Sequence, residues 1–390
     1  MKRLGVMLSW ESGGGTFQYT QAILSALLAL PRSEYTLVAA VTQPLWIEHI
    51  DAEVRVVRLR DTQWNRTLNR AWAFLGLPIA LWRRTVARLD SDVRALVSES
   101  CDLWLFPGNE RFSFRAPLPA LGTVHDLMHR YEPQFPEVSE GGEYETREFH
   151  FGETVRWSRG VIVDSNVGKR QLVESYRADP EKVFVLPYIA PMYFYSGTSA
   201  ESDGVAHRYS LPGKFFFYPA QFFQHKNHAS LVLAIDRMRE SHPDVRLVLV
   251  GAKNRNSHDE VQALVRQLKL TENVLFLGYV PDSDMPALYR LARALVMPTY
   301  FGPTNIPQLE AFATGCPVAT SRIYGIPEQV GDAALLFDPA SIDEIHECLV
   351  KLWTDDALCA ELARKGRDQA ARWGPPQFAA RLREIIDTVI

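Results

Sequence analysis

The feature that most constrains this chain is an alternation of short apolar runs with longer helical patterns that breaks once and then restarts. Gly5 to Ser9, Tyr35 to Val41, Val54 to Leu59, Leu103 to Phe106, Gly122 to His125, Val161 to Val163 and Val183 to Leu186 read as strands, and Thr16 to Leu30 has helical periodicity. Tyr195 to Gly204 is rich in Ser, Gly and Asp and interrupts the pattern. It resumes with Phe215 to Tyr218, Arg246 to Val250, Val274 to Leu277, Ala294 to Met297, Pro317 to Thr320 and Ala334 to Phe337. Strands separated by helices are joined by right-handed crossovers into parallel sheets. The predicted fold class is therefore α/β, with two doubly wound, Rossmann-like domains at residues 1–195 and 196–375. A closing helix at 376–390 is left with two options: to stay on the second domain or to cross back to the first. Ligands of such sheets bind at the carboxyl ends of the strands, so two sheets facing a cleft make that cleft the expected site.

Composition narrows the function classes. The chain has 390 residues, 47% hydrophobic and 23% charged, which excludes disorder, collagen, coiled coil and a disulfide scaffold. A net charge of -4 does not suit a polyanion-binding surface, so nucleic acid is not expected as a partner. The four cysteines, Cys101, Cys316, Cys348 and Cys359, form no C-x-x-C pair and no zinc spacing, and read as reduced thiols. No apolar run reaches the ~18–20 residues of a membrane span. Lys2-Arg3 followed by Leu4 to Trp10 is too short an apolar core for a secretion signal and reads as a first strand. The expected location is the cytoplasm.

The segment Pro298 to Pro317 carries the most chemistry. A strand ends at Met297, a Gly/Pro loop follows, Pro307 suits a first helical position and Gly315 a helix stop. Thr304, Asn305 and Ile306 then offer backbone N–H groups at a helix N-terminus, a natural phosphate site. Glu310 in the first turn is placed either to accept both hydroxyls of a ribose or simply to complement the helix dipole. Gly13-Gly14-Gly15-Thr16 follows the first strand and reads as a phosphate-facing loop or a flexible turn. His125 ends a strand, either as a site residue or a satisfied core histidine. Lys226 follows the strand Phe215 to Tyr218, as a phosphate-binding cation or a surface lysine.

These residues resemble the retaining GT-B glycosyltransferases of glycosyltransferase family 4, whose signature is a Glu-x7-Glu motif followed by Ala-x-Ala-x-Gly-x-Pro-Val. Here Glu310 takes the second glutamate and is followed by Ala311-Phe-Ala-Thr-Gly-Cys-Pro-Val318, while Gly302 replaces the first. The resemblance covers nearly the whole chain and implies donor contacts at Gly14, Gly15, Thr16, Gln221, Lys226, Asn227, Gly251, Tyr279, Thr304, Asn305, Ile306 and Glu310. His125, Lys226 and Glu310 take the catalytic roles, with His125 toward the donor sugar. Lys253 shares the loop of Gly251, and Glu328 matches a further family position with packing or capping as the alternative. The family's arginine before the lysine is missing, so Lys226 stands without a second cation unless His225 or His228 supplies one.

The implied reaction moves a sugar, mannose-type by the resemblance, from a nucleoside diphosphate sugar, GDP-linked as first guess, to a glycan or polyprenyl-diphosphate-linked acceptor, as in surface polysaccharide assembly. Retention, no metal and no cofactor beyond the donor are implied with it. A nucleotide-sugar epimerase and a non-catalytic sugar-nucleotide binder are the alternatives; a phosphorylase lacks context for a pyridoxal lysine. One segment lies outside this scheme: residues 54–88 hold eight arginines against the single acid Asp61, interleaved with Trp64, Trp72, Phe74, Leu75, Leu77, Ile79, Leu81 and Trp82. Such a basic, aromatic, amphipathic stretch reads as a membrane-surface element or as a helical hairpin packed on its own domain.

Overall fold

A strand inside a parallel sheet is covered on both faces, so it reads as a continuous apolar run rather than an alternation. The run LGVML of Lys2–Leu8 meets that requirement, and in the computed structural model it is β1. The structure describes residues 1–9, 13–195, 201–251 and 255–390; Lys253 lies outside them. β2 (Tyr35–Val41), β3 (Arg55–Arg58), β4 (Leu103–Leu105), β5 (Ala120–Thr123), β6 (Gly160–Val163) and β7 (Val183–Val185) follow. Among the described residues they form a seven-stranded sheet ordered β3-β2-β1-β4-β5-β6-β7, parallel throughout. β8 (Phe216–Pro219), β9 (Leu247–Val250), β10 (Val274–Gly278), β11 (Ala294–Met297), β12 (Val318–Ser321) and β13 (Ala334–Phe337) form a second parallel sheet ordered β10-β9-β8-β11-β12-β13. Both orders are the doubly wound one, which reverses direction between β1 and β4 and between β8 and β11.

The second sheet is built on the apolar run at β8. Phe216, Phe217 and Tyr218 are fully buried beside Leu247, Val248 and Leu295. Each such side chain contributes about 1.5–3 kcal/mol by leaving water. Two helices near the end, Ile342–Thr354 and Asp356–Arg372, are kept apart by Asp355, whose extended backbone ends the first and whose carboxylate caps Leu358 N–H at 2.8 Å in the second.

Chain contacts divide the molecule into two units. One comprises Met1–Leu127, Glu145–Pro187 and Pro375–Ile390; the other comprises Met128–Tyr144 and Tyr188–Gly374. The division therefore differs from a simple cut at residue 195, because residues 128–144 belong with the second sheet. There Met128 and Val138 pack with Phe301, and Glu137 accepts the backbone N–H of Gln224. The closing helix, Pro375–Val389, belongs to the first unit. It packs on the helix Gly15–Leu28, and its Asp387 accepts Lys2 Nζ at 2.7 Å and Tyr35 Oη at 2.5 Å.

The arginine-rich segment is β3 followed by a hairpin of two amphipathic helices, Gln63–Phe74 and Ile79–Leu89. Trp72 and Trp82 meet edge-on at 4.9 Å inside it, and Trp82 is fully buried. Those two tryptophans are therefore core residues rather than contacts for a bilayer. Among the described residues the hairpin's exposed large apolar side chains are Trp64, Phe74, Leu75, Leu81 and Leu89, with Phe74 91% exposed.

Candidate functional site

In each unit the chemistry gathers where the strand order reverses, because there the loops leaving neighbouring strands diverge and open the sheet edge. In the second unit these are the loops after β8 and β11. They are tied together: Tyr300 N–H donates to His225 O at 2.8 Å, and Thr299 Oγ1 to the same carbonyl at 3.3 Å. Lys226 Nζ donates to Asn305 Oδ1 at 3.4 Å, so the cation of one loop meets the amide of the other. The backbone behind Lys226 is fixed as well, since Tyr218 Oη donates to Lys226 O at 2.9 Å. Lys226 is half-buried and Gln221 exposed. Asn227 stands at φ 58°, starts the helix His228–Arg239, and spends its side-chain N–H on Pro339 O at 2.8 Å. Gly251 is dictated by packing, for a Cβ there would lie 2.2 Å from Ala220 O.

The helix Pro307–Thr314 begins at Pro307 and ends at Gly315 with φ 74°. Its N-terminus is less open than the sequence suggests. The backbone N–H of Asn305 donates to Gln329 Oε1 at 3.0 Å, and Gln329 Nε2 donates back to Asn305 O at 2.7 Å. The amide of Asn305 is thus taken, and Gln329 becomes a clamp on the loop. Sequence reasoning stopped one residue short, at Glu328, which is exposed; no local pattern distinguishes Gln329.

Glu310 is also more enclosed than expected. It is 8% exposed and accepts a short hydrogen bond from Tyr289 Oη. Burial pushes its carboxyl up to about 7, against the hydrogen bonds from Tyr289 and Tyr193, and Asp282 adds to the rise. Tyr279, on the loop after β10, is 74% exposed. Gly302, which replaces the first signature glutamate, sits at φ 97°, and a Cβ there would lie 2.6 Å from Thr304 O. The loop is shaped around glycine, so a glutamate at 302 disturbs the fold and is not a simple change of donor contact. Neither neighbouring histidine replaces the missing arginine in the same way: His228 stacks on Phe222 at 4.4 Å, and burial together with Lys226 pushes its pKa down to about 3, so it is neutral. His225 is buried against Phe301, with Glu137 3.5 Å away.

In the first unit the reversal brings the loops after β1 and β4 together. Glu110, which sequence reasoning missed, accepts Ser9 Oγ–H at 2.9 Å and Gly108 N–H at 2.9 Å, and burial raises its carboxyl to about 7. Gly14 caps the helix Gly15–Leu28 at φ 81°, a conformation that favours glycine, with open space where a Cβ would stand; Gly15 and Thr16 begin the helix. His125 lies two residues beyond β5 rather than at its end; its Nε2 is 2.9 Å from Pro107 O, its ring meets Tyr19 edge-on, and burial lowers its pKa. His129 is fully buried in the second unit, edge-on to Tyr144.

Comparison with known proteins agrees with this geometry. Residues 206–369 match the family profile of Glycosyl transferases group 1. The chain is 25% identical over 256 residues to O-antigen chain mannosyltransferase B of Escherichia coli, spanning 65% of this chain and 66% of that protein. It is 25% identical over 353 residues to mannosylfructose-phosphate synthase of Agrobacterium fabrum, spanning 83% of this chain and 75% of that one. Among solved structures, Alr3699/HepE of Anabaena in complex with UDP and glucose superposes over the full length of both chains with a TM-score of 0.75 at 16% identity. Residues 206–369 therefore constitute a glycosyl transferases group 1 domain, in a chain whose two parallel-sheet units have the fold of the GT-B glycosyltransferases.

Proposed function

We propose that this protein transfers a hexosyl group, mannosyl in the first instance, from a nucleoside diphosphate sugar to a hydroxyl of a glycan or lipid-linked glycan, with retention at the anomeric carbon. The observation that carries this reading is the bond between Lys226 and Asn305 across the β8/β11 reversal, inside the matched domain. It puts a cation and a helix N-terminus together, the pair of features that a leaving diphosphate needs.

In the proposed step the bond from the anomeric carbon to the phosphate oxygen breaks, and its electron pair stays on the departing diphosphate. The acceptor oxygen bonds to the same face of that carbon, and its proton passes to the leaving phosphate. Lys226 and the amides of Thr304 and Ile306 stabilise the charge that develops, the amide of Asn305 being held by Gln329, and no metal takes part. Glu310, in its ionised form, accepts the ribose hydroxyls. Tyr279, exposed at the end of β10, offers a face for the base. GDP is the preferred base because the two curated relatives named above carry mannosyl in their names, and UDP is the competitor because the Anabaena protein was crystallised with it. Acceptor delivery at a membrane face is assigned to the exposed Phe74 and Leu75 and the flanking arginines; among the described residues no helix is long and apolar enough to cross a membrane.

The test is a melting-temperature screen with GDP, UDP, dTDP and ADP, followed by incubation of the matching sugar donor with acceptor lipid extract. A nucleoside diphosphate that binds the native state raises its melting point. One nucleotide should do so, and a glycosylated product with retained anomeric configuration should form. Absence of any shift, release of free sugar without acceptor, or donor binding without turnover would each overturn the reading.

A further inference from the structure

The first unit holds a cavity that the proposed reaction does not use. It has a volume of about 640 Å³ and lies between the hairpin turn Gly76–Ala80 and the helix Glu143–Trp157. Trp72, Leu77, Pro78, Phe114 and Phe149 give it an apolar lining. A second cavity of about 300 Å³ is lined by Arg66, Arg70 and Trp82, and Arg111 and Arg115 line both. These two arginines bracket the short helix Phe112–Arg115, four residues apart and so on one face. They follow directly on Glu110, at the loop after β4.

The charges here are unbalanced. The carboxylates that line the cavities are mostly engaged elsewhere. Glu153 accepts Trp157 Nε1 at 2.7 Å, Asp61 pairs with Arg66 at 3.5 Å, and Asp90 caps the helix Ser91–Ser98. Glu145 is exposed. Arg115 stacks its guanidinium on Trp82 at 4.8 Å, its Nε is buried with no hydrogen-bond acceptor, and among the described residues no carboxylate pairs with it. Burial, with the like charge of Arg111, pushes its pKa down to about 10. Arg111 is exposed beside the half-buried Arg115, and the one opposite charge that acts on Arg115, Asp90, is spent on its helix cap. An anion stabilises such a like-charged pair, and a planar guanidinium suits phosphate oxygens.

We propose that this place binds a single amphiphile with a phosphate headgroup: the headgroup sits on Arg111 and Arg115, and its apolar chain enters the larger cavity along Trp72, Leu77 and Phe149. Charge complementarity selects the headgroup, and the apolar lining beside it selects the chain. Phe74 and Leu75, exposed at the hairpin turn that forms one wall, stand where such a molecule would leave a lipid surface. This assignment is independent of sugar transfer, since binding is measured without donor.

The experiment is calorimetric titration of the full chain with monodecyl phosphate below its aggregation concentration, beside inorganic phosphate and decyl maltoside. Monodecyl phosphate should bind at least about tenfold tighter than either control, because only it satisfies both features. Arg115→Gln and Arg111→Gln should each weaken it by about tenfold or more. Ala80→Phe, an exposed position on the cavity wall, should weaken it with the charges intact. Should Arg115→Gln fail to fold, Arg111→Gln and Ala80→Phe carry the test. Absence of binding, equal binding of inorganic phosphate (an anion contact alone), equal binding of decyl maltoside (an apolar contact alone), or undiminished binding by the folded variants would each overturn the proposal.

Discussion

The two sheets share one strand order, yet their reversal points carry opposite chemistry. At β8/β11 the loops present a lysine, a helix N-terminus and a glutamine clamp. At β1/β4 a glutamate is turned inward onto Ser9 and Gly108, and Arg111 and Arg115, which follow it in the chain, line an apolar cavity. The backbone plan decides where a ligand can bind, and the loops decide what it is. On the two proposals made above, one reversal takes a sugar nucleotide and the other a greasier ligand.

The comparison breaks most sharply at Lys226. Lys226→Ala should lower turnover by about 10²–10³-fold with little change in melting temperature, if the charge is used in the transition state. Steady-state kinetics beside a melting curve checks it, and unchanged turnover would return the cation to the role of loop staple. Next in size is Gly302→Glu. With φ 97° and a Cβ 2.6 Å from a backbone oxygen, it should cost about 2–4 kcal/mol, read as a lower denaturant midpoint.

Glu310→Gln should reduce nucleotide affinity by about tenfold, and it sharpens the comparison through pH. The ionised carboxylate accepts hydroxyls, so wild-type affinity should rise as pH increases through about 7 and the variant should lose that dependence. The same shift acts on stability. Folded Glu310 holds its proton to about 7, whereas the unfolded value is 4.5, so between these values the folded state binds more protons. Stability from this group is complete below the lower value and declines as pH rises, by up to roughly 3 kcal/mol. Denaturant titrations on both sides of that window should show a smaller decline in Glu310→Gln. A flat wild-type profile would mean that Tyr289 and Tyr193 keep the carboxylate ionised.

Gln329→Ala should have a smaller effect, a several-fold rise in donor KM with kcat nearly kept, because two bonds to Asn305 are lost and no reacting group is touched. The smallest is Phe74→Ser with Leu75→Ser, which should leave stability and soluble-donor kinetics alone and lower cosedimentation with anionic vesicles. Equal sedimentation would confine the hairpin to packing.

Most of the strands were legible because parallel strands are buried on both faces and carry that burial as apolar runs. Pro307 and Gly315 announced the ends of their helix through backbone chemistry that needs no partner. What stayed hidden depends on residues distant in sequence. Gln329 clamps Asn305 from 24 residues away, and Tyr289 reaches Glu310 across 21. Trp82 looked like its neighbours in the arginine-rich segment until Trp72 and Arg115 closed around it. Gly302 looked like a lost ligand, whereas its loop is built around the absence of a side chain.

The chain's route between its units bears on how it is made. The first sheet is complete once residue 187 has been synthesised, but the helix Pro375–Val389 that packs on Gly15–Leu28 and binds Lys2 through Asp387 is made only after the whole second sheet. The nascent amino-terminal half therefore waits, with one apolar flank uncovered, until that helix leaves the ribosome. A chain cut short before it would lose packing from the part of the protein translated first.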